Sequence, residues 1–245
     1  MEMEKKKVAL FSLTDCQGCE FVVLQLGEKL LEVAKEVDFA NFRLASSKKE
    51  DGPFFISFVD GAVTSSEEVE HLKWIRSNSK YLVALGSCAA WGGINALKNY
   101  FTNVNFPKEV YSRDFESFEA KPLSKYVKVD AFVLGCPINL EEFVFVLKAL
   151  LEDKVPKLKL APVCEDCKKN GIECVTKKGM FCLGPYTIGG CGAPCPAAGV
   201  PCFGCRGPLF NPNVVDAEKV LRDRFMHGGV LFTGLGYVLV EGESK

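Results

Sequence analysis

At 245 residues, 48% hydrophobic and 25% charged, the chain has enough apolar material for one globular domain plus an appendage, which excludes the disordered and low-complexity classes. Its 30 basic residues nearly cancel its 31 acidic ones, so no net field recruits nucleic acid or an anionic membrane. No apolar run reaches the roughly 18 residues of a membrane span. The apolar stretch 8–13 ends in Thr14-Asp15-Cys16 without a small-residue cleavage site, so the expectation is a cytoplasmic protein with no export signal and no direct membrane anchor.

Residues 7–13 read as the first strand, with Lys5, Lys6 and Lys7 as its solvated cap. Residues 20–37 set Leu24, Leu30, Leu31 and Val33 among Glu and Lys at near-helical spacing, which predicts one helix. A weak strand candidate covers 41–45 and a strong one 54–59. Ser65 or Ser66 is placed to cap a helix ending near Ser77, with Glu67 and Glu68 in its first turn. Two short apolar runs, 81–85 and 131–134, read as central strands; they lead into Gly86-Ser87-Cys88 and Gly135-Cys136-Pro137. Asn139 then caps an amphipathic helix over 140–152, with Phe143, Val146, Leu147 and Leu150 on one side. The alternation predicts an α/β fold, with a flavodoxin-like, doubly wound parallel sheet in residues 1–154.

Composition changes abruptly near 155. Residues 156–212 are rich in Cys, Gly and Pro and keep no period, so hydrophobic burial alone does not hold them together. Residues 155–245 are therefore expected to form a small, irregular, cysteine-rich iron-sulfur domain with a C-terminal tail. Within it, 214–225 reads as a last helix and 229–240 as an apolar strand or a partner-covered tail.

Twelve cysteines stand against two histidines. In a reducing cytosol such a count favours metal ligation over disulfides. Cys16 and Cys19 form a CxxC pair after the first strand, with Gly18 giving the turn freedom; Cys88 and Cys136 each follow another strand. In an open parallel sheet these loops meet at the carboxyl ends of the strands, where four thiolates can hold one cubane cluster. A structural zinc ion accepts four thiolates as well, although usually from two close pairs. A thioredoxin-like redox pair would leave Cys88 and Cys136 unexplained. The other eight, Cys164, Cys167, Cys174, Cys182, Cys191, Cys195, Cys202 and Cys205, suit two further four-cysteine clusters, with zinc ribbons an alternative for the outer pairs. Spacing alone leaves their partition open.

The CxxCE motif at Cys16, the glycine-flanked Cys88 and Cys136, and the stretch from Cys182-Leu183-Gly184-Pro185-Tyr186 to Pro201-Cys202-Phe203-Gly204-Cys205 together resemble NiFe-hydrogenase small subunits over residues 6–212. Within that family the chain looks most like the delta subunits of cytoplasmic archaeal sulfhydrogenases and the methyl-viologen-reducing type. The resemblance implies three 4Fe-4S clusters: a proximal one on Cys16, Cys19, Cys88 and Cys136, a distal one on Cys164, Cys167, Cys174 and Cys182, and a medial one on Cys191, Cys195, Cys202 and Cys205. Many relatives place a histidine where Cys164 stands, and a thiolate there favours the oxidised cluster. Many also have a proline where Cys195 supplies a fourth ligand.

The resemblance further implies an oxidoreductase subunit that carries electrons and does not catalyse alone. Its partners would be a NiFe-containing large subunit docked near Cys16 and Cys19, and a further redox subunit of the flavin diaphorase, ferredoxin-like or heterodisulfide-reductase type. Two readings from other classes are a zinc-stabilised interaction module and a free-standing iron-sulfur carrier. No GxSxG, HExxH or GxxxxGK motif marks a hydrolase or nucleotide site. Glu20 reads as a first-turn glutamate or a contact to the partner's active-site region; His71, His227, Trp74 and Trp91 read as ordinary structural residues.

Overall fold

Lys6–Ser12 forms the first strand, β1, and its Val8, Ala9 and Leu10 are buried whichever face they point to. Such two-sided burial is what a parallel strand covered by helices on both faces requires. The computed structural model describes residues 5–101, 103–157, 160–180 and 182–209, apart from the side chains of 29, 31 and 100, and the backbone of 229–232 and 237–240. The chain divides into two compact units, Met1–Lys157 and Leu158–Lys245.

In the first unit, β1 is followed by α1 (Gly18–Leu24), α2 (Glu28–Glu36), β2 (Val37–Phe42), β3 (Phe54–Asp60), α3 (Ser66–Ser77) and β4 (Ser79–Leu85). Then come α4 (Gly86–Trp91), a 3₁₀ helix (Gly93–Tyr100), α5 (Phe106–Tyr111), a 3₁₀ turn (Leu123–Lys125), β5 (Ala131–Val133) and α6 (Leu140–Leu151). The sheet order is β2-β1-β3-β4-β5, all parallel, the doubly wound, flavodoxin-like order expected from the alternation. One core joins Val8, Leu10, Ile56, Phe58 and Val83 to Val23 of α1 and to Phe143, Val146, Leu147 and Leu150 of α6. A second, on the opposite face, joins Val59, Leu82 and Ala84 to Leu72 and Ile75 of α3.

The helix expected over 20–37 is two helices, with the break at Gly27, whose φ of 55° lies outside the helical region. The second strand starts directly at Val37 and ends at Phe42, earlier than the 41–45 expectation. Ser65 is the cap of α3, accepting from the Glu68 amide at 3.3 Å, and Asn139 caps α6, accepting from the Glu142 amide at 2.9 Å.

The second unit contains α7 (Val163–Lys169), 3₁₀ turns at Val175–Lys178 and Gly184–Tyr186, and the four-residue α8 (Pro194–Ala197). Extended strips tie it together: Pro162 and Thr187 each make a bridge, to Ile188 and Pro208 respectively. Its buried cluster of Val163, Ala193 and Cys202 is packed by Cys167, Cys182, Cys191 and Ile172, so thiols stand where other domains place leucines. The helix expected over 214–225 lies outside the described residues, as does His227. The 229–240 segment holds two short antiparallel strands, β6 (Gly229–Phe232) and β7 (Tyr237–Val240), rather than one.

Asp130 secures the start of the central strands. Its carboxylate accepts from Arg76 at 2.5 Å and from the Leu82 amide at 2.9 Å. Burial pushes its pKa up, but the Leu82 amide and the Arg76 guanidinium outweigh that and hold it below 3.8. Asp130→Ala, which strips the Leu82 amide of its acceptor and leaves Arg76 with only the Lys128, Ser79 and Lys80 carbonyls, is expected to cost about 2 kcal/mol in urea unfolding at neutral pH. Because the native pKa is depressed, this contribution is present above the ordinary value of 3.8 and fades as pH falls through the native one. The gap between variant and wild type should therefore narrow in acid.

Candidate metal centres

The register of the sheet aligns the ends of its strands: Ser12 pairs with Asp60, Asp60 with Leu85 and Leu85 with Val133. Cys16 and Cys19 lie just past the end of β1, Cys88 just past β4 and Cys136 just past β5. Parallel pairing thus delivers all four to one rim, as open α/β sheets do with their ligand loops. The Ser87 amide donates to the Gly135 carbonyl at 2.9 Å and ties two of these loops together.

Gly86 marks where the loops meet. It has φ +79°, and a Cβ on it would lie 2.4 Å from the Cys19 sulfur and 3.5 Å from both Asp60 Oδ1 and the Gly135 carbonyl. In the CxxC turn the left-handed residue is Gln17, at φ 59°, and not the expected Gly18. Gly18 instead leaves space, since a Cβ there would stand 3.2 Å from the Cys16 sulfur.

Cys19 and Cys88 are buried, whereas Cys16 and Cys136 are exposed. Burial pushes the Cys88 thiol up to about 12, aided by the charges of Asp60, Cys136 and Cys16 and opposed by the Ile94 amide. Burial raises Cys19 further, with Asp60 and Cys88 adding to it and the Ile138 amide opposing. The four thiols therefore lie within one another's fields. Three acids share the rim, Glu20 and Asp60 buried and Asp15 half-buried: Asp15 is pushed up to about 6 and Asp60 to about 7, in both cases chiefly by burial. Glu20 is 1% exposed and accepts from Ser12 Oγ at 2.6 Å, while its second oxygen and one oxygen each of Asp15 and Asp60 have no partner among the described residues. Glu20 is the first-turn glutamate of α1 that the sequence suggests, and it is buried. Sequence reasoning does not single out Asp60, although Asp-Gly at the end of a strand is a visible signal.

In the second unit, burial pushes Cys164 up to about 11, reinforced by Cys182, Cys167 and Cys174. Burial raises Cys191 against the Ala193 amide and the charge of Arg206, with Asp166 and Cys205 pushing upward. Cys195 is raised by burial and by Cys191 and Cys182; Cys202 is pushed up to about 12 by burial, against the Gly204 amide and Thr187, with Cys182 and Cys205 adding to the rise. The sets overlap, since Cys182 accepts from the Cys202 amide at 3.3 Å. A Cβ at Gly184 would lie 3.4 Å from the Cys182 sulfur and 3.5 Å from that of Cys164. Cys174 is exposed and contacts Thr176 Oγ1 at 3.0 Å. His71 packs edge-on against Phe11 and Trp74 and joins neither group.

The donor set is wholly thiol, soft ligands suited to iron-sulfur clusters or zinc. Glycine gaps filled by sulfur, as at Gly86 and Gly18, fit a cradle in which thiolates turn inward without side chains between them. Among the described residues no three His, Cys, Asp or Glu side chains are grouped closely enough to hold a single metal ion. Nor, among these residues, is any helix long and apolar enough to cross a membrane.

Residues 16–150 match the family model of the NADH ubiquinone oxidoreductase 20 Kd subunit. Sulfhydrogenase 2 subunit delta of Pyrococcus furiosus is 38% identical over 225 residues, covering 89% of this chain and 92% of the relative. The vhu F420-non-reducing hydrogenase of Methanocaldococcus jannaschii has a subunit that is 34% identical over 235 residues, covering 82% of this chain and 81% of the relative. Among solved structures, a chain of an NAD+-reducing [NiFe]-hydrogenase in the H2-reduced state superposes with a TM-score of 0.57 at 27% identity, covering 64% of this chain and 96% of that one. A chain of the Ni-Fe-Se hydrogenase of Desulfomicrobium baculatum shares the fold with a TM-score of 0.60 at 17% identity, covering 86% and 97%. The chain belongs to the hydrogenase small, electron-transfer subunit family, within the wider family of the NADH ubiquinone oxidoreductase 20 Kd subunit.

Proposed function

We propose that the chain is the electron-relay subunit of a NiFe-hydrogenase complex, working between the NiFe site of a large subunit and a further redox subunit through three 4Fe-4S clusters. Cys16, Cys19, Cys88 and Cys136 would hold the proximal cluster; Cys164, Cys167, Cys174 and Cys182 the distal one; Cys191, Cys195, Cys202 and Cys205 the medial one. What carries the reading is the arrival of four thiols from three strand ends at one rim, in a chain whose relatives are hydrogenase subunits. When bound, each cluster accepts and releases one electron at a time.

The chain's own contribution is placement and electrostatics. The amides of Ile138 and Ile94 reach the sulfurs of Cys19 and Cys88, and those of Ala193 and Gly204 reach Cys191 and Cys202. Such bonds stabilise negative charge on sulfur and raise a cluster's potential, whereas the nearby Asp60 acts in the opposite sense when ionised. The exposed Cys16 and Cys136 lie on the rim with exposed Phe21, which follows Cys19 closely, and Ile94. This wet thiol edge with apolar neighbours is where the large subunit would dock, within electron-transfer reach of the proximal thiolates.

Two substitutions test the proximal assignment in the assembled complex. Cys16→Ala should drop hydrogen-driven dye reduction to background; a wild-type rate contradicts the relay. Gly86→Ala drives a methyl group into the Cys19 sulfur, so iron analysis should show a loss of about four irons per chain. Unchanged iron would mean that Cys19 is not a ligand.

A further inference from the structure

Arg206 directly follows Cys205 and is only 2% exposed. Burying a guanidinium is costly unless hydrogen bonds and opposite charge compensate it. Its Nε–H is shared between the carbonyls of Ile188 and Gly189, at 3.2 and 3.0 Å. Its Nη2 lies against Gly190, so closely that a Cβ there would meet it at 3.1 Å; Gly190 also has φ +105°, so both space and conformation require glycine. The guanidinium thus grips the loop that leads into Cys191.

The loop is held from a second direction by a carboxylate. Asp166 Oδ2 accepts from the amides of Gly190 and Gly192, at 2.6 and 3.2 Å, and Asn170 Nδ2 donates to the Gly192 carbonyl at 2.8 Å. Cys191 therefore sits on a loop fixed by a buried cation and by an anion, and the two charges act on its sulfur in opposite senses.

We propose that Arg206 is a positioning residue that sets the potential of the centre Cys191 helps to hold, its fixed positive charge making that centre easier to reduce. The inference rests on the three-cluster reading above. Reduction by a low-potential one-electron donor adds one negative charge to the centre. No proton need accompany the electron, because a guanidinium is charged in both states. In an interior of low dielectric a neighbouring unit charge acts far more strongly than it would in water.

The test compares Arg206→Met and Arg206→Lys in the assembled complex, by iron content and by redox titration followed with electron paramagnetic resonance. With full iron, R206M should move one reduction step to lower potential, while R206K, which keeps the charge, should leave that step near the wild-type position. An unshifted R206M, or an R206K displaced as far as R206M, overturns the proposal. If R206M fails to assemble its iron, Asp166→Asn decides, since it keeps an acceptor for both amides and removes the negative charge. A step moved to higher potential supports the proposal, and an unmoved one overturns it. Wild-type protein holding about four irons together with zinc would instead sink the cluster reading itself, whatever the variants do.

Discussion

Parallel strand register is the constraint on which the first unit depends. Because Ser12, Asp60, Leu85 and Val133 lie side by side across four strands, cysteines separated by as many residues as Cys16 and Cys136 face one rim. A slip of one residue in any strand would turn its side chains to the opposite face of the sheet, dismantling the two cores and the thiol rim together. The apolar packing of Phe58 against Phe143, with ring centroids 4.8 Å apart, and of Leu72 and Ile75 on the opposite face protects that register. Sheet stability and thiol placement are one property in this unit.

The second unit solves the opposite problem. Among its described residues, the cluster around Val163 and Ala193 is completed by Cys202, Cys167, Cys182 and Cys191, and the loops are held by individual polar bonds such as those of Asp166 and Arg206. Metal binding supplies folding free energy where a core is thin, because the ligands must be gathered only in the folded state. The two units therefore differ in what fixes their thiols: apolar burial maintains the geometry of the sheet, and individual polar bonds hold the loops of the cysteine-rich unit.

Much of this is legible in the sequence where a local rule and the global fold agree. Alternating short apolar runs predict the sheet, Asn139 its capped helix, and cysteines just beyond strand ends the thiol rim. The single helix expected over 20–37 fails because Leu24, Leu30 and Val33 keep helical spacing straight across Gly27, whose backbone breaks the helix. Short α4 escapes prediction because six residues give no measurable period. Asp60 and Arg206 escape it for a different reason: isolated charged residues look solvated in sequence, and only tertiary packing reveals them as buried. The turn at Cys16 shows the same limit, with Gln17 taking the left-handed conformation that glycine usually supplies.

The central claim is that twelve thiols hold three clusters. Iron, acid-labile sulfide and zinc per chain, measured on anaerobically purified protein and followed by electron paramagnetic resonance after reduction, tests it most directly. The account predicts about twelve irons with matching sulfide and little zinc. About four irons with one or two zinc ions would contradict it, leaving a single proximal cluster on the sheet and a zinc-held module in place of the rest of the relay.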